Sequence, residues 1–307
     1  MNVIQTEQLQ KAYDGLAVLQ GVDLQVPQGA VFAFLGNNGS GKSTTIRILT
    51  GLLRADACKA EVLGMDITRQ RLPVLAQIGA LVESPALYPN LTAAECLSIA
   101  CRLKNVSLRD IDRVLDVVEM RAARQRRIGQ FSLGMKQRLA IAMTLIGAPK
   151  LLILDEPTNG LDPQGMQDIR TLIQQLPARQ DCSVFVSSHL LDEVEKMASH
   201  VALLHKGRVI AQENLLTLKQ KQVRRLKLVC HPLDSTAELL ERMSLRSEQD
   251  TDGLWLDGLS SADLTPLLQH LLAHDVEIFE ARWHQPSLED WFVGQQTQAL
   301  EASHAMA

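Results

Sequence analysis

The chain has 307 residues, a formal net charge of -4 and 46% hydrophobic residues. This length allows one large domain with a small one, and the composition excludes wholesale disorder. The slightly acidic balance excludes a nucleic-acid-binding protein that depends on a global basic field, so we expect no nucleic-acid partner. Five scattered cysteines without a CxxC pair argue against a disulfide framework and a structural zinc site.

The hydropathy pattern contains no segment that predicts a membrane span. A spanning helix needs roughly 18–20 consecutive apolar residues. The first residues, MNVIQTEQLQ, also lack the basic and then apolar pattern of a secretion signal. We therefore expect a cytoplasmic protein that is not itself a membrane channel.

The first two thirds of the chain predict an α/β fold with a mainly parallel sheet. Residues 2–10 and 22–26 alternate apolar and polar side chains, which is typical of strands with one wet face and predicts an antiparallel part. Ala30–Leu35, Leu151–Leu154 and Ser183–Ser187 are short apolar runs that predict strands buried on both faces. Long helical stretches separate these runs, as in parallel sheets.

Residues 92–128 have the composition and spacing of a helical insert, which we place at about 85–140 within a larger first domain over 1–217. The insert contains RAARQRR at 121–127. Its four arginines are interpreted as a solvated helix face or, alternatively, as a segment attracted to anionic lipid headgroups.

A polar and charged run, KQKQVRR at 219–225, has the composition expected at a junction between domains. Beyond it, predicted strands and helices alternate and indicate a small accessory α+β domain over 218–307. We expect Trp255, Trp283 and Trp291 to form its core.

Gly36–Ser43, GNNGSGKS, fits the pattern GxxxxGK[ST] at every fixed position and is named here the phosphate loop. Glycines let backbone N–H groups turn toward phosphates, Lys42 reaches the outer phosphates, and the Ser43 hydroxyl binds Mg²⁺. The following helix directs its positive end at the anion. The residues expected to bind nucleotide here are Gly36, Asn37, Asn38, Gly39, Ser40, Gly41, Lys42, Ser43 and Thr44.

Two carboxylates end the second apolar run. Asp155 lies where the predicted strand leaves the sheet and is expected to hold Mg²⁺ through water. Glu156 follows and is expected to orient or deprotonate an attacking water. Together with the phosphate loop, this pair predicts a nucleoside triphosphatase.

Three more segments follow the phosphate loop in order: FSLGMKQR at 131–138, DEPTNGLDP at 155–163 and SSHLLDEVE at 187–195. With them, residues 1 to about 216 resemble the ATP-binding cassette (ABC) family. The family signature LSGGQ is retained here at Ser132 and Gly134 and departs at three neighbouring positions. The resemblance implies ATP hydrolysis and a role for each matching residue: Tyr13 on adenine, Ser132 and Gly134 on the partner's nucleotide, Asp162 on the partner cassette, His189 on the γ-phosphate and Lys42 and Glu156 in catalysis.

The resemblance also implies partners. Two cassettes dock head to tail around two ATP molecules, so one signature per chain requires a second copy of this subunit. A separate transmembrane permease would hold the pair at the inner face of the cell membrane. The segment Leu87–Glu95 is the candidate surface on which a short permease helix would dock.

Glu83 stands where most cassettes carry glutamine. The resemblance implies that this position senses Mg²⁺ and the attacking water, so Glu83 is expected to act in catalysis and to add a charged ligand for Mg²⁺. Alternatively, Glu83 is a neutral variant with no effect on mechanism. The surrounding IGALVESPALYPNLTAAE, together with FSLGMKQRL, resembles the subgroup that exports bacitracin and lantibiotic-type peptides.

The sequence leaves three classes of function to compare. The resemblance favours an exporter of antimicrobial peptide, antibiotic or related hydrophobic compounds. A soluble cassette ATPase acting on ribosomes or nucleic acid usually carries two cassettes or long coiled-coil insertions, and neither is present. A kinase or switch protein would explain the phosphate loop but not the signature or His189.

Overall fold

The computed structural model describes residues 1–83, 87–221, 224–284 and 287–305, so Pro85 and Ala86 of the expected insert lie outside the described residues. The chain divides into two compact units: unit 1, Met1–Leu215 with Gln295–Ala307, and unit 2, Leu216–Gly294. No helix in the described ranges combines the length and hydropathy needed to cross a bilayer.

Unit 1 is built from strands and helices that alternate along most of its length. Its strands are β1 (Asn2–Tyr13), β2 (Leu16–Pro27), β3 (Val31–Leu35), β4 (Ala57–Val62), β5 (Met65–Asp66), β6 (Ile78–Leu81), β7 (Leu151–Asp155), β8 (Ser183–Ser188), β9 (His200–His205) and β10 (Arg208–Asn214). Its helices are α1 (Lys42–Leu49), α2 (Arg71–Gln77), α3 (Ala93–Leu103), α4 (Asp110–Val117), α5 (Leu133–Leu145), α6 (Pro163–Gln180) and α7 (Leu191–Met197). Helix α8 (Leu215–Lys221) follows at the junction of the two units.

The central sheet of unit 1 has the strand order β10-β9-β3-β8-β7-β6. Strand β3 pairs in parallel with β8 and β9, and β7 pairs in parallel with β6 and β8, whereas β10 is antiparallel to β9. All residues of β3, β7 and β8 are buried, because helices and a second sheet cover them. The predicted mainly parallel sheet is confirmed.

The second sheet of unit 1 is antiparallel, with the order β2-β1-β4-β5. Its apolar face and the central sheet share one core, in which Phe32, Phe34 and Phe185 are fully buried. The predicted antiparallel part is also confirmed. This core holds β2 beside the phosphate loop: a Cβ added to Gly41 would come within 2.6 Å of Leu19 Cδ2.

Helices α3 to α5 form the helical insert. Thr92 caps α3 in a capping box with Glu95, in which each side chain accepts the other residue's backbone N–H. Two of the four arginines at 121–127 form ion pairs, Arg121 with Asp116 and Arg124 with Asp112. These pairs agree with a solvated segment, but the arginines do not share a helix face, because only residues 121–123 form a short 3₁₀ helix and residues 124–127 are not helical.

Within unit 2, the described residues 224–284 form four strands and two helices in the chain order βαββαβ, the ferredoxin-like arrangement. They are β11 (Arg225–His231), α9 (Leu233–Arg242), β12 (Ser247–Gln249), β13 (Leu254–Leu256), α10 (Leu264–Leu272) and β14 (Glu277–His284), and α11 (Leu288–Ala305) follows. The strands form one antiparallel sheet in the order β12-β13-β11-β14. The expected small α+β fold is confirmed.

The tryptophans of unit 2 do not share one core. Leu254 and Leu256 are buried in the apolar cluster, so Trp255 between them points to the opposite face of the sheet. There its ring lies 5.2 Å from Lys227 Nζ, and its Nε1 donates to Asp250 at 2.7 Å. Trp283 packs against the core as expected. The expectation was wrong for Trp255, because strand alternation outweighs the hydrophobicity of a single residue.

Candidate active site

The phosphate loop connects the buried β3 to the first turn of α1. Gly41 precedes this helix with a φ of 111°, a conformation that favours glycine. A Cβ added to Gly36 would lie 2.5 Å from Ser40 Oγ and 2.6 Å from the Leu204 carbonyl oxygen. The β9–β10 turn also supports the loop, since Gly207 N–H donates to the Ser40 carbonyl at 3.0 Å. The loop therefore requires glycine at both positions.

Lys42 points its ammonium group back into the loop. The side chain is only 6% exposed, and Nζ donates to the Gly36 carbonyl at 2.6 Å. The exposed tip of the loop consists of Asn37, Asn38 and Gly39, and Ser43 and Thr44 are half-buried in the first turn of α1. This arrangement places a cation and a helix N-terminus together, as phosphate binding requires.

Asp155 and Glu156 are joined through Ser187. Strands β7 and β8 run side by side, with Asp155 opposite Ser187 in the register. The Ser187 hydroxyl donates to Asp155 Oδ1 and accepts the Glu156 N–H at 2.9 Å. Asp155 is 8% exposed. This one hydroxyl therefore orients both carboxylate residues.

The Glu156 carboxylate lies between a lysine and a histidine. Its Oε1 is 3.3 Å from Lys42 Nζ, and its Oε2 is 2.8 Å from His189 Nδ1. The backbone of Glu156 has a φ of 47°, a costly conformation that the Ser187 contact and a turn to Asn159 help to hold. The structure thus brings together Lys42, Glu156 and His189, three of the residues predicted to act in catalysis.

Glu83 lies in the same cavity as Asp155 and Glu156, but its side chain pairs with an arginine outside that group. A cavity of about 400 Å³ is lined by Glu83, Asp155 and Glu156 among others. The Glu83 side chain is 64% exposed and forms an ion pair with Arg47 of α1. Its expected contact with Mg²⁺ stays a prediction, and the Arg47 partner is a finding that the sequence pattern did not indicate.

The signature residues lie at the start of α5. Ser132 caps this helix by accepting the Met135 N–H at 3.2 Å, and Asp162 caps α6 by accepting the Gly165 N–H at 3.1 Å. A cavity of about 490 Å³ is lined by Ser132, Gly134 and Asp162 among others. Within the described part of the chain, a Cβ added to Gly134 would meet no atom within 4 Å. The structure therefore groups the residues expected to face a partner cassette.

Tyr13 ends β1 at the turn into β2. Its side chain is 41% exposed, and Lys11 Nζ lies 5.6 Å from its ring centroid. An exposed aromatic face of this kind can stack on a nucleotide base. Its role on adenine stays a prediction.

The comparisons with known proteins agree with this geometry. The family model for the ABC transporter matches residues 19–159. The bacitracin transport ATP-binding protein BcrA of Bacillus licheniformis is 34% identical over 294 residues, covering 95% of this chain and 96% of BcrA. The chain belongs to the ATP-binding cassette family.

A second relative and a solved structure extend the likeness. The lantibiotic transport ATP-binding protein SrtF of Streptococcus pyogenes is 38% identical over 227 residues, covering 72% of this chain and 97% of SrtF. The structure of cbiO1 from Clostridium perfringens, part of an ABC transporter complex, matches with a TM-score of 0.66 and 27% identity, over 72% of this chain and 91% of cbiO1. The cassette is thus the nucleotide-binding, ATP-hydrolysing subunit of an ABC transporter, and a soluble ATPase acting on ribosomes is not favoured.

Sequence reasoning missed two polar residues of the site. Ser187 was included at the end of an apolar run and at the start of the segment that contains His189, but it was given no role, because contact between β7 and β8 is not visible in local spacing. Glu193 lies in the same segment as His189 and is buried beside Thr158. An acidic residue four positions after the histidine, inside an otherwise apolar helix face, was the available signal.

Proposed function

We propose that this cassette works as a pair at the inner face of the cell membrane, where it powers a separate permease that exports antimicrobial peptides or related hydrophobic compounds. The main support is the Glu156 carboxylate, which lies between Lys42 and His189 at distances suited to activating water. The substrate class is supported by full-length similarity to a protein named for bacitracin transport.

In this proposal the chain hydrolyses ATP by direct attack of water. Glu156 accepts a proton as the water oxygen bonds to the γ-phosphorus, and the bond to the β–γ bridging oxygen breaks to release ADP. Lys42 contacts the outer phosphate oxygens, and His189 holds Glu156 and faces the γ-phosphate. Fixed charges of this kind act mainly by stabilising the transition state.

Mg²⁺ would be held by Ser43, Asp155 and Glu83, of which the two acids line one cavity. Hydroxyl and carboxylate oxygens are the ligands Mg²⁺ prefers, with phosphate oxygens and water completing its coordination. No group of three or more His, Cys, Asp or Glu in the described ranges is placed to hold a metal. When bound, the ion neutralises charge on the β- and γ-phosphates.

The second copy would complete each nucleotide site. Ser132 and Gly134 would bind the phosphates of ATP held by the partner's phosphate loop, and Asp162 would contact the partner cassette. The exposed start of α5 supports this role, because its backbone N–H groups and helix dipole favour an anion. Tyr13 would stack on the adenine.

The permease would dock around Leu87–Glu95, on the helical insert beside β6. A groove of about 510 Å³ there is lined by Leu87, Ala100 and Lys104 among others. Ile99 and Leu103 lie on the adjoining face of α3 and are 44% and 83% exposed. Exposed apolar side chains beside a groove fit a short amphipathic helix of a partner subunit.

The C-terminal part would form an accessory domain over 218–307. Its support is the complete βαββαβ chain order and a core of its own in unit 2. The last segment, Gln295–Ala307, groups with unit 1 by contacts. Limited proteolysis that releases a stable fragment beginning near residue 218 would test this boundary.

The proposed substrate class is tested by producing the chain with its permease in a peptide-sensitive bacterial host. The wild-type pair should raise resistance to bacitracin or a lantibiotic, and Glu156→Gln should abolish that resistance while both subunits still accumulate. An active ATPase that gives no resistance to either compound would contradict the substrate class. Loss of ATP hydrolysis in Glu156→Gln, without loss of ATP binding, checks the catalytic part separately.

A further inference from the structure

Glu193 is a buried carboxylate that none of the proposed steps uses. It lies in the first turn of α7 and is 3% exposed. Its Oε2 accepts the Thr158 hydroxyl at 2.6 Å, whereas its Oε1 has no hydrogen-bond partner among the described residues. Burying a carboxylate with half of its acceptors unused is costly, so this position calls for a reason beyond packing.

Thr158 lies in the middle of the segment that runs from Glu156 to Asp162. The side chain is 3% exposed, so the bond to Glu193 is shielded from water. Two turns shape the segment: Asn159 N–H donates to the Glu156 carbonyl at 3.1 Å, and Leu161 N–H donates to the Thr158 carbonyl at 3.3 Å. The Thr158 side chain is thus fixed to the backbone that positions Glu156.

The same two stretches of chain meet a second time at the catalytic pair. His189 Nδ1 lies 2.8 Å from Glu156 Oε2, and α7 begins two residues after His189. Glu193 lies four residues after His189, and Thr158 lies two residues after Glu156. The Thr158–Glu193 and Glu156–His189 contacts therefore join the same pair of segments, one buried and one at the cavity.

We infer that Glu193 is a positioning residue, which sets the separation of Glu156 and His189 by binding Thr158. The inference rests on the proposed roles of Glu156 and His189. Loss of the buried contact frees α7 to shift against the turn after β7. A displacement of about 1 Å in a catalytic group can lower the rate about 100-fold.

Paired substitutions at Thr158 and Glu193 test this inference in the full chain, assayed with its permease. Thr158→Val removes the hydroxyl at nearly constant volume and Thr158→Ser retains it. Glu193→Ala removes the acceptor, while Glu193→Gln keeps an oxygen for Thr158. We expect kcat to fall about 10- to 100-fold in Thr158→Val and Glu193→Ala, with the KM for ATP nearly unchanged. In Thr158→Ser and Glu193→Gln, which keep the hydrogen bond, kcat should stay near the wild-type value. Asp192→Ala, at the exposed neighbouring acid, is the control and should leave kcat unchanged.

A second readout separates positioning from general stability. In a His189→Ala background, Thr158→Val should lower kcat by less than about twofold, because the geometry it supports is already lost. An undiminished effect in that background, or a wild-type kcat in Thr158→Val and Glu193→Ala, would overturn the inference. If Glu156→Gln and His189→Ala themselves retain full activity, the proposed catalytic roles fail instead.

Discussion

The two regions of this cassette that are expected to face nucleotide differ in how completely the fold of one chain assembles them. Around Glu156, side chains of one chain contact each other: the carboxylate lies 3.3 Å from Lys42 Nζ and 2.8 Å from His189 Nδ1. Lys42 and Asp155 are also buried. At the signature, Ser132 caps its own helix, and the described atoms leave open space beside Gly134. The Glu156 region is therefore assembled within one chain, whereas the signature exposes backbone N–H groups to a nucleotide that a second chain would hold.

The largest expected effect comes from Gly36 in the phosphate loop, whose space for a side chain contrasts with that at Gly134 in the signature. Gly36→Ala would place a methyl group 2.6 Å from the Leu204 carbonyl, a backbone atom that cannot move cheaply. Relieving this clash would move the loop away from its phosphate-binding geometry, so we expect ATP affinity of the isolated subunit to fall about 100-fold, or about 2.7 kcal/mol of binding free energy. Isothermal titration with ATP would measure it, and affinity equal to wild type would show that the loop is not rigidly held.

Ser187→Ala tests whether one hydroxyl orients both carboxylate residues. It removes a hydrogen bond to Asp155 and one from Glu156 N–H. Hydrogen bonds to charged groups contribute about 1.5–3 kcal/mol, so kcat should fall roughly 30-fold while ATP still binds. Ser183→Ala is the control, because its hydroxyl also accepts a backbone N–H but lies at the other end of β8. A drop in ATP binding rather than in kcat would assign Ser187 to the fold of the loop instead.

Gly134→Ala provides the counterpart at the signature. The methyl group meets no described atom, so thermal stability and ATP binding by the isolated subunit should be unchanged. If a partner's nucleotide packs there, ATPase activity should nevertheless fall about 10-fold. Full activity in this variant would mean that no ligand approaches Gly134 closely.

Glu83 should give the smallest effect, because its carboxylate is exposed and paired with Arg47. Glu83→Gln should retain ATP binding and raise the Mg²⁺ concentration for half-maximal turnover by about threefold, since one charged oxygen ligand is lost. Arg47→Gln frees the carboxylate and should shift that concentration downward. Identical Mg²⁺ titrations for all three proteins would remove Glu83 from the mechanism.

Much of the fold and part of the site could be predicted because their signals are local. The phosphate loop lies between a buried strand and a helix, as GxxxxGK[ST] requires, and Asp155 ends the strand that its apolar run predicts. These features depend on neighbours in the sequence.

The remaining features depend on contacts between distant segments. Ser187 acts through its register with Asp155, and Glu83 pairs with a residue of α1 that no spacing rule connects to it. Strand β12 is short and polar, so hydropathy gave no signal for it. Trp255 was assigned to a core from its hydrophobicity, although the alternation of β13 turns it to the other face.

The central claim, that two copies of this cassette share each ATP, is tested most directly by mixing two inactive variants. Lys42→Ala damages the phosphate loop, and Ser132→Arg blocks the signature. Neither should hydrolyse ATP alone, but their mixed dimer contains one intact composite site. An equimolar mixture should recover up to about a quarter of the wild-type activity, as random pairing of subunits predicts. A mixture as inactive as its components, measured where the wild type is active, would contradict the account.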